Sequence, residues 1–462
     1  MSAETAQDFD AGISPPAVIL AAGQGWRLAR REDKTPKPAR SLLGLSLAER
    51  TLSSCMAAGI QRFVVVLGHL ADEVRAHFEK IAAKRGCDVE FVTAPDWQLG
   101  NGASALVASK KVGAATFLLT MVDHLLDPAL IHRVLRTRPK QGEVCLGVDR
   151  RKAAIFDLDD VTKVGLSNDR VSRIGKTLAE WDAADTGVFL CTPALFEGLK
   201  RARAKNRHSL SDGIAELAAS GHVLAVDVSG ESWLDVDTPA AHQEARRRLL
   251  ASLTKGGEDG YVSARLNRPV STRLSARLAG TGITPNQITL LSFAISLVGA
   301  ALFARGQHLA GVLGGLLVQI SSVLDGCDGE IARLKHLTTP RGAWLDTLLD
   351  RYSDLLIALA VTFAYAAAHP GPLPWLAGFI AVCGFTLASY VTKEFALRLG
   401  RPYPNDVLNR LKRRDLRLLV ICLGAIVNRP FEALLAVGAL SHACVLGVLI
   451  RGWLGSKAVP SR

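Results

Sequence analysis

Asp325-Gly326-Cys327-Asp328-Gly329-Glu330-Ile331-Ala332-Arg333, continued by Gly342-Ala343-Trp344-Leu345-Asp346-Thr347-Leu348-Leu349-Asp350, decides how the second half of this chain folds. The apolar run from Val312 to Leu324 leads into the first stretch, and the run from Leu355 to Ala368 leads out of the second. Asp325, Asp328, Gly329 and Ala332 recur at i, i+3, i+4 and i+7, so they share one face of a helix. Asp346 and Asp350 are spaced i, i+4, with Gly342 one turn earlier on the same face. Thr338-Thr339-Pro340 between them reads as a loop, an N-cap and a first-turn proline. Two antiparallel helices would then aim four carboxylates at one another, with Gly and Ala letting the backbones approach. Such carboxylates repel unless a cation sits among them. All-oxygen ligands suit a hard divalent ion such as Mg²⁺, with Mn²⁺ as a second fit. A carboxylate cluster at membrane depth is costly and marks a functional site by default. The competing reading is a salt-bridge set with Arg333 and Arg351, although the apolar flanks offer few partners.

The spacing D-x2-D-G-x2-A-R-x8-G-x3-D-x3-D is complete in Asp325, Asp328, Gly329, Ala332, Arg333, Gly342, Asp346 and Asp350. It resembles the signature of the CDP-alcohol phosphatidyltransferases. The resemblance implies that an acceptor hydroxyl displaces CMP from a CDP-linked donor. It further implies that Asp325, Asp328 and Asp346 hold metal ions against the pyrophosphate. Asp350, counted with the metal-facing carboxylates, is then the base on the acceptor hydroxyl. Gly329, Ala332 and Arg333 lie on the nucleotide side, where Gly329 lets the nucleotide approach the backbone. Metal ions would neutralise charge developing on the phosphate and the leaving CMP, and a carboxylate can accept the hydroxyl proton.

The 462 residues suffice for two or three domains. Hydrophobic residues make up 49% and charged residues 21%, unevenly placed: the first half is ordinary soluble protein and the last third is membrane-like. A net charge of +12 suits anionic substrates and an anionic leaflet. No motif supports nucleic-acid binding. The eight cysteines include no C-x-x-C pair and read as reduced, mostly buried residues. Residues 1–16 are polar and acidic, expected to be disordered and unlike a signal peptide.

Ala17 to Ala22 is a short apolar run followed by Gly23-Gln24-Gly25-Trp26-Arg27-Leu28, a strand, a Gly-rich turn and a helix. That layout cradles phosphates with backbone N–H groups, although a plain tight turn fits the glycines equally. Ala21-Ala22-Gly23-x-Gly25-x-Arg27, then Pro36-Lys37-Pro38, resembles the sugar-phosphate nucleotidyltransferases. The resemblance implies that Arg27 and Lys37 hold a nucleoside triphosphate, with Ala21, Ala22, Gly23 and Gly25 lining it. Trp26 stands where a small residue is usual, and Ala39 where Leu is usual.

Arg62 to Leu67 and Val89 to Thr93 read as strands, and Ala71 to Lys84 as a helix. Gly100-Asn101-Gly102-Ala103-Ser104 opens another helix, and the resemblance places Gly102 at the base and sugar. Thr116 to Met121 is a buried strand ending in Val122-Asp123-His124. A carboxylate at the C-terminal end of a parallel strand lies where such sheets bind ligands, so Asp123 is a candidate Mg²⁺ ligand. His124 is a ligand or, as is commoner, a hydrogen-bonding neighbour. Lys163, Lys176 and Asp185 are candidates for a substrate's phosphate and hydroxyls, or else solvated loop charges. One of Asp235 and Asp237 is expected as the second metal ligand, with Asp235 preferred.

Gly-Asn-Gly, Asp-His, Thr-Lys-Val, Ile-Gly-Lys and Asp-Thr-Gly, in this order, resemble the inositol-1-phosphate cytidylyltransferases. In known bifunctional proteins that enzyme is fused to a CDP-alcohol phosphatidyltransferase that acts as a di-myo-inositol-phosphate-phosphate synthase. The layout here is similar over 17 to about 454. The resemblance implies CTP, inositol 1-phosphate and CDP-inositol as substrates and a homodimer through the membrane domain. The alternatives are the same donor with a lipid or other polyol acceptor, and a transporter with a regulatory nucleotide-binding domain.

The expected organisation is a Rossmann-like α/β nucleotidyltransferase domain at 17–253, a linker and juxtamembrane amphipathic helix at 254–283, a six-helix all-α transmembrane domain at 284–454 and a tail at 455–462. Basic and apolar residues alternate at helical spacing through Arg265, Arg268, Arg273 and Arg277, as in a helix lying on a membrane or simply solvated. The six spans fall near 286–304, 309–324, 343–367, 373–391, 416–427 and 431–450, two of them short for a crossing of ~20 residues. The loops at 333–341 and 398–417 are basic, whereas the opposite loops carry only Arg305 and Arg429. By the positive-inside rule the nucleotidyltransferase domain and both termini are cytoplasmic, in an inner, cell-membrane setting. Lys393, Arg398, Arg413, Arg414 and Arg417 either grip an acceptor phosphate or only set topology, with Arg413 and Arg414 preferred for the grip.

Overall fold

The computed structural model describes residues 14–28, 35–253 and 259–456. The expectations for the extreme N-terminus, for most of the Gly-rich linker and for the end of the tail fall outside the described residues. The chain divides into two compact units, Met1–Arg247 and Arg248–Arg462.

The apolar run at the start of the first unit becomes the strand Ala17–Ala21, buried at every position. Covered on both faces, such a strand loses the polar alternation of a half-exposed one. It pairs in parallel with Arg62–Leu67 on one side and Phe117–Met121 on the other, and Asp88–Thr93 adds in parallel outside Arg62–Leu67. This half follows the Rossmann-like expectation. The rest does not, because Ala183–Cys191 lies antiparallel between Phe117–Met121 and Val144–Asp149. Val223–Asp227, Arg170–Gly175 and Lys163–Ser167 then complete a mixed sheet of nine strands among the described residues. Residue pattern reports burial, not strand direction, so this mixture was not readable from alternation. Separate apolar cores fill the two sides of the sheet, one around Val18, Val66 and Phe117, the other around Ile19, Val65 and Phe78.

In the second unit the segment from Ser263 to Leu278 is helical, beginning with a π-helical turn at Ser263–Asn267. Thr284 and Gln287 then form a reciprocal capping box and Pro285 starts the helix Pro285–Phe303. His308–Leu334, Pro340–Ala368, Pro372–Leu399, Arg414–Ile426 and Pro430–Ser456 follow. As expected, Thr339 caps Pro340–Ala368, accepting from the Gly342 N–H at 3.0 Å. Among the described residues five helices are long and apolar enough to cross a membrane. The expected span near 416–427 is the exception. Its helix Arg414–Ile426 has 13 residues, about 20 Å at the α-helical rise. Large apolar side chains such as Leu291, Leu309, Phe379 and Leu449 point outward from the long helices. Gly314 and Gly315 are used for packing within the chain. A side chain at Gly314 would meet the Gly299 carbonyl at 2.8 Å, and one at Gly315 the Cys422 backbone at 3.1 Å.

Candidate active sites

The turn after Ala17–Ala21 is shaped by Gly25. Its φ is +64°, and a side chain there would strike the Lys37 Cβ at 2.6 Å. Gly23 faces open space, while Ala21 and Ala22 are buried beneath the turn. Lys37 opens the 3₁₀ turn Lys37–Ala39 and is itself buried. Its ammonium lies 2.5 Å from Asp123 Oδ2 and also bonds Asp237. Burial pushes the Lys37 amine down, but Asp123 and Asp237 outweigh it and hold the group above its usual range, as ammonium.

Asp123 follows the strand Phe117–Met121, and its other oxygen contacts His124 Nδ1 at 2.9 Å. Burial would raise the Asp123 carboxyl, yet Lys37 and His124 hold it well below the ordinary value. Asp235 ends the short strand Trp233–Asp235, directly opposite His124. Burial and then the Asp123 charge push its carboxyl up to about 7, and its Oδ1 is buried with no hydrogen-bond partner among the described residues. Against the pull of burial, Asp235 and Asp123 raise His124 to about 9. Asp123, His124 and Asp235 each offer a ligand atom within 4.8 Å of the others. A buried, orphaned carboxylate oxygen beside a second carboxylate fits a hard cation. Asp237 is instead taken up by Lys37 and Arg27.

Arg27 Nη1 also reaches Asp160 at 2.7 Å, and Lys176 Nζ meets the same carboxylate at 2.5 Å. In sequence Asp160 is a lone Asp among polar residues and carries no local signal. Here it joins Lys176 and Arg27 to the Lys37 cluster. Asp185 accepts from the Gly187 N–H at 2.7 Å, and burial raises its carboxyl to about 6. Gly187, at φ +73°, leaves room for the His124 ring, which brings Asp185 to the same site. Lys163 opens the strand Lys163–Ser167, half-buried, and among the described residues makes no ion pair in this network. Gly102 lies against the backbone of Ser209, which a side chain would meet at 2.6 Å, so packing alone demands a glycine there.

In the second unit Asp325 and Asp328 come from the last turns of His308–Leu334, and Asp346 and Asp350 from the first turns of Pro340–Ala368. Asp325, Asp328 and Asp346 each offer an oxygen within 4.8 Å of the others, a donor set of the kind hard divalent cations take. Asp328 also accepts from Thr289 Oγ1 at 2.6 Å. Asp350 lies outside that trio but beside Asp325: it holds Arg414 Nη1 at 2.7 Å, and the same nitrogen lies 3.4 Å from Asp325.

Among the described residues the salt-bridge alternative built on Arg333 and Arg351 finds one long contact, from Arg351 to Asp350. Arg333 donates to the Leu253 carbonyl at 3.3 Å and fills space that Gly329 leaves. Arg351 comes no closer than 3.9 Å to Asp350 and instead pairs with Asp354 at 3.2 Å. Ala332 is buried beneath the signature face. Of the adjacent arginines, Arg414 enters the cluster, and Arg413 packs by Gly260. Two further acids went unread. Asp354 continues the i, i+4 series of Asp346 and Asp350 into the apolar run. Glu330, fully buried inside the signature, binds Arg268 Nη1 and Ser271 Oγ, each at 2.7 Å.

Residues 282–449 match the CDP-alcohol phosphatidyltransferase family and residues 17–207 the MobA-like NTP transferase domain. A bifunctional IPC transferase and DIPP synthase of Rubrobacter xylanophilus is 40% identical over 94% of this chain and 95% of its own. The chain belongs to that family. The Thermococcus kodakarensis member is 35% identical over 82% of each chain. The inositol-1-phosphate CTP transferase from T. maritima aligns with 50% of this chain and 92% of its own, at 26% identity and a TM-score of 0.45. As in the family, an NTP transferase domain precedes a helical CDP-alcohol phosphotransferase domain, and the apolar helices make this second part membrane-embedded.

Proposed function

We infer that this chain performs two transfers in succession. The first unit joins CTP and inositol 1-phosphate: a phosphate oxygen bonds to the α-phosphorus of CTP, pyrophosphate leaves, and CDP-inositol forms. The second unit moves phosphoinositol from CDP-inositol to a second inositol 1-phosphate. The acceptor oxygen bonds to phosphorus, the bond to CMP breaks, and the hydroxyl proton passes to Asp350. The carrying observation is the near full-length match to relatives whose names couple the two activities. The presence of one acidic cluster in each unit supports it.

Lys37 and Arg27 are suited to neutralising the triphosphate and its departing pyrophosphate. Asp123 and Asp235 would hold one divalent ion, with Asp235 favoured over Asp237 by its unpartnered oxygen. Asp325, Asp328 and Asp346 would hold the other. Bound there, Mg²⁺ or Mn²⁺ supplies charge neutralisation at the phosphates. Lys176 and Asp185 border the first site and are assigned to inositol 1-phosphate, while Arg414 is assigned to the transfer site. The domains are taken as 17–253 and 284–454. The short helix Arg414–Ile426 is counted as a sixth span. The nucleotidyltransferase domain faces the cytoplasm, and a homodimer would form on faces away from Gly314 and Gly315. Incubating the purified protein with CTP and inositol 1-phosphate, with and without lipid, and reading products by phosphorus NMR tests the scheme. Absence of a phosphodiester joining inositol to inositol 1-phosphate would reject it.

A further inference from the structure

Three arginines converge on Asp354: Arg351 Nη1 at 3.2 Å, Arg414 Nε at 3.0 Å and Arg417 Nη2 at 2.9 Å. Arg414 takes Oδ1 and Arg417 takes Oδ2, so both carboxylate oxygens are engaged. Arg417 is fixed in turn, donating to the Phe385 carbonyl at 3.2 Å with its guanidinium 4.6 Å from that ring centre. Asp354 is therefore a rigid, buried anchor. The rest of Arg414's planar fork points at the acidic cluster, with Nη1 2.7 Å from Asp350. One guanidinium thus spans from Asp354 to Asp350, acids one helical turn apart on the same helix. An arginine side chain has many rotamers, and holding it by Nε removes most of them.

We propose that Asp354 is a positioning residue of the transfer site. By fixing Arg414 through Nε, it keeps Nη1 on Asp350 and so aims the other Asp350 oxygen for the acceptor hydroxyl. This rests on Asp350 as the proton acceptor in the second reaction. Neither Asp354 nor its link to Arg414 belongs to the signature spacing.

The test uses the full-length protein in nanodiscs, transferring from supplied CDP-inositol. Arg414→Ala should lower turnover about 100-fold, the loss typical of a misaligned reacting group. Added guanidinium should restore roughly 10-fold of this, as expected for a regained charge at the site, but only while Asp354 is present. Asp354→Asn should lower turnover by a similar factor with the KM for CDP-inositol unchanged. The double variant should be no slower than Arg414→Ala alone, because residues acting as one unit are not additive. Multiplying losses in the double variant, or equal guanidinium rescue with and without Asp354, would overturn the proposal. If Asp354→Asn does not fold, Arg417→Gln loosens the same anchor without touching Arg414. It should lower turnover several-fold at constant KM, and unchanged turnover would count against the anchor. Should Asp350→Asn retain full transfer, the proton-acceptor assignment fails independently of these results.

Discussion

Lys37 and Asp123, 86 residues apart in the chain, meet with 2.5 Å between ammonium and carboxylate. Asp237 completes the grip from a third segment. Removing the ammonium leaves two neighbouring carboxylates uncompensated where a triphosphate has to bind. Lys37→Ala should therefore lower pyrophosphate release from CTP by a factor on the order of 100 or more. Transfer from supplied CDP-inositol should continue, since that site lies in the other unit. Equal loss of both activities, measured side by side, would refute the division of labour.

The first unit should act alone. The Gly25 turn, Lys37, Asp123, Asp235 and the Arg27–Asp160–Lys176 chain all lie within Met1–Arg247. A fragment ending near Leu253 should make CDP-inositol at a rate comparable to the whole protein, followed by pyrophosphate release. An inactive but folded fragment would show that the helical unit completes the first site.

Asp350 and Asp328 differ in their surroundings. Asp328 lies with Asp325 and Asp346, whereas Asp350 is turned to Arg414. Asp350→Asn should keep Mg²⁺-dependent CMP binding while transfer falls about 100-fold or more. Asp328→Asn should lose both. Calorimetry beside turnover separates them, and equal loss of binding would make Asp350 a metal ligand instead of the base.

Glu330 is fully buried and paired with Arg268, which is held in turn by Asp259 at 3.0 Å. Breaking a buried pair from one side leaves a charge without compensation and costs about 3–5 kcal/mol. Glu330→Gln should lower the unfolding midpoint of the helical unit, while Arg268→Met/Glu330→Met together should recover much of it. A double variant as unstable as the single would show that the pair itself is not the determinant.

In the first unit Glu49 pairs with Lys84 at 2.8 Å and with Arg85 at 2.9 Å. Burial alone would raise its carboxyl, but the two cations hold it below the ordinary 4.5. A carboxylate whose folded value is depressed contributes stability above its unfolded value and loses it as pH falls through the folded one. Glu49→Gln should therefore destabilise the unit at neutral pH, and its deficit relative to the unaltered protein should close below pH of about 4. Urea midpoints measured from pH 7 to 3 test this; a deficit constant with pH would exclude an ionic cause.

Local order alone determined a good deal of this protein. Helical periodicity places Asp325 and Asp328 on one face and Asp346 and Asp350 on another, and Thr339-Pro340 sets where the second helix begins, because these relations span only a turn or two of backbone. Gly25 and Lys37 were legible because each sits in a short motif, Gly23-x-Gly25 and Pro36-Lys37-Pro38. Tertiary structure alone decided the rest. Arg413 and Arg414 are adjacent and chemically alike, yet Arg413 is the extended N-cap of Arg414–Ile426, and only the packing of that helix turns Arg414 onto Asp350 and Asp354. Asp235 was preferred over Asp237 on sequence, but spacing could not show that Asp235 pairs opposite His124 while Asp237 is held by Lys37. Ala183–Cys191 runs against its neighbours although its residues match those of a parallel strand, since direction is set by where the chain returns. Asp354 reads as an isolated charge in an apolar run. Its three arginine partners come from its own helix and from another about 60 residues away, a distance over which sequence spacing carries no geometry.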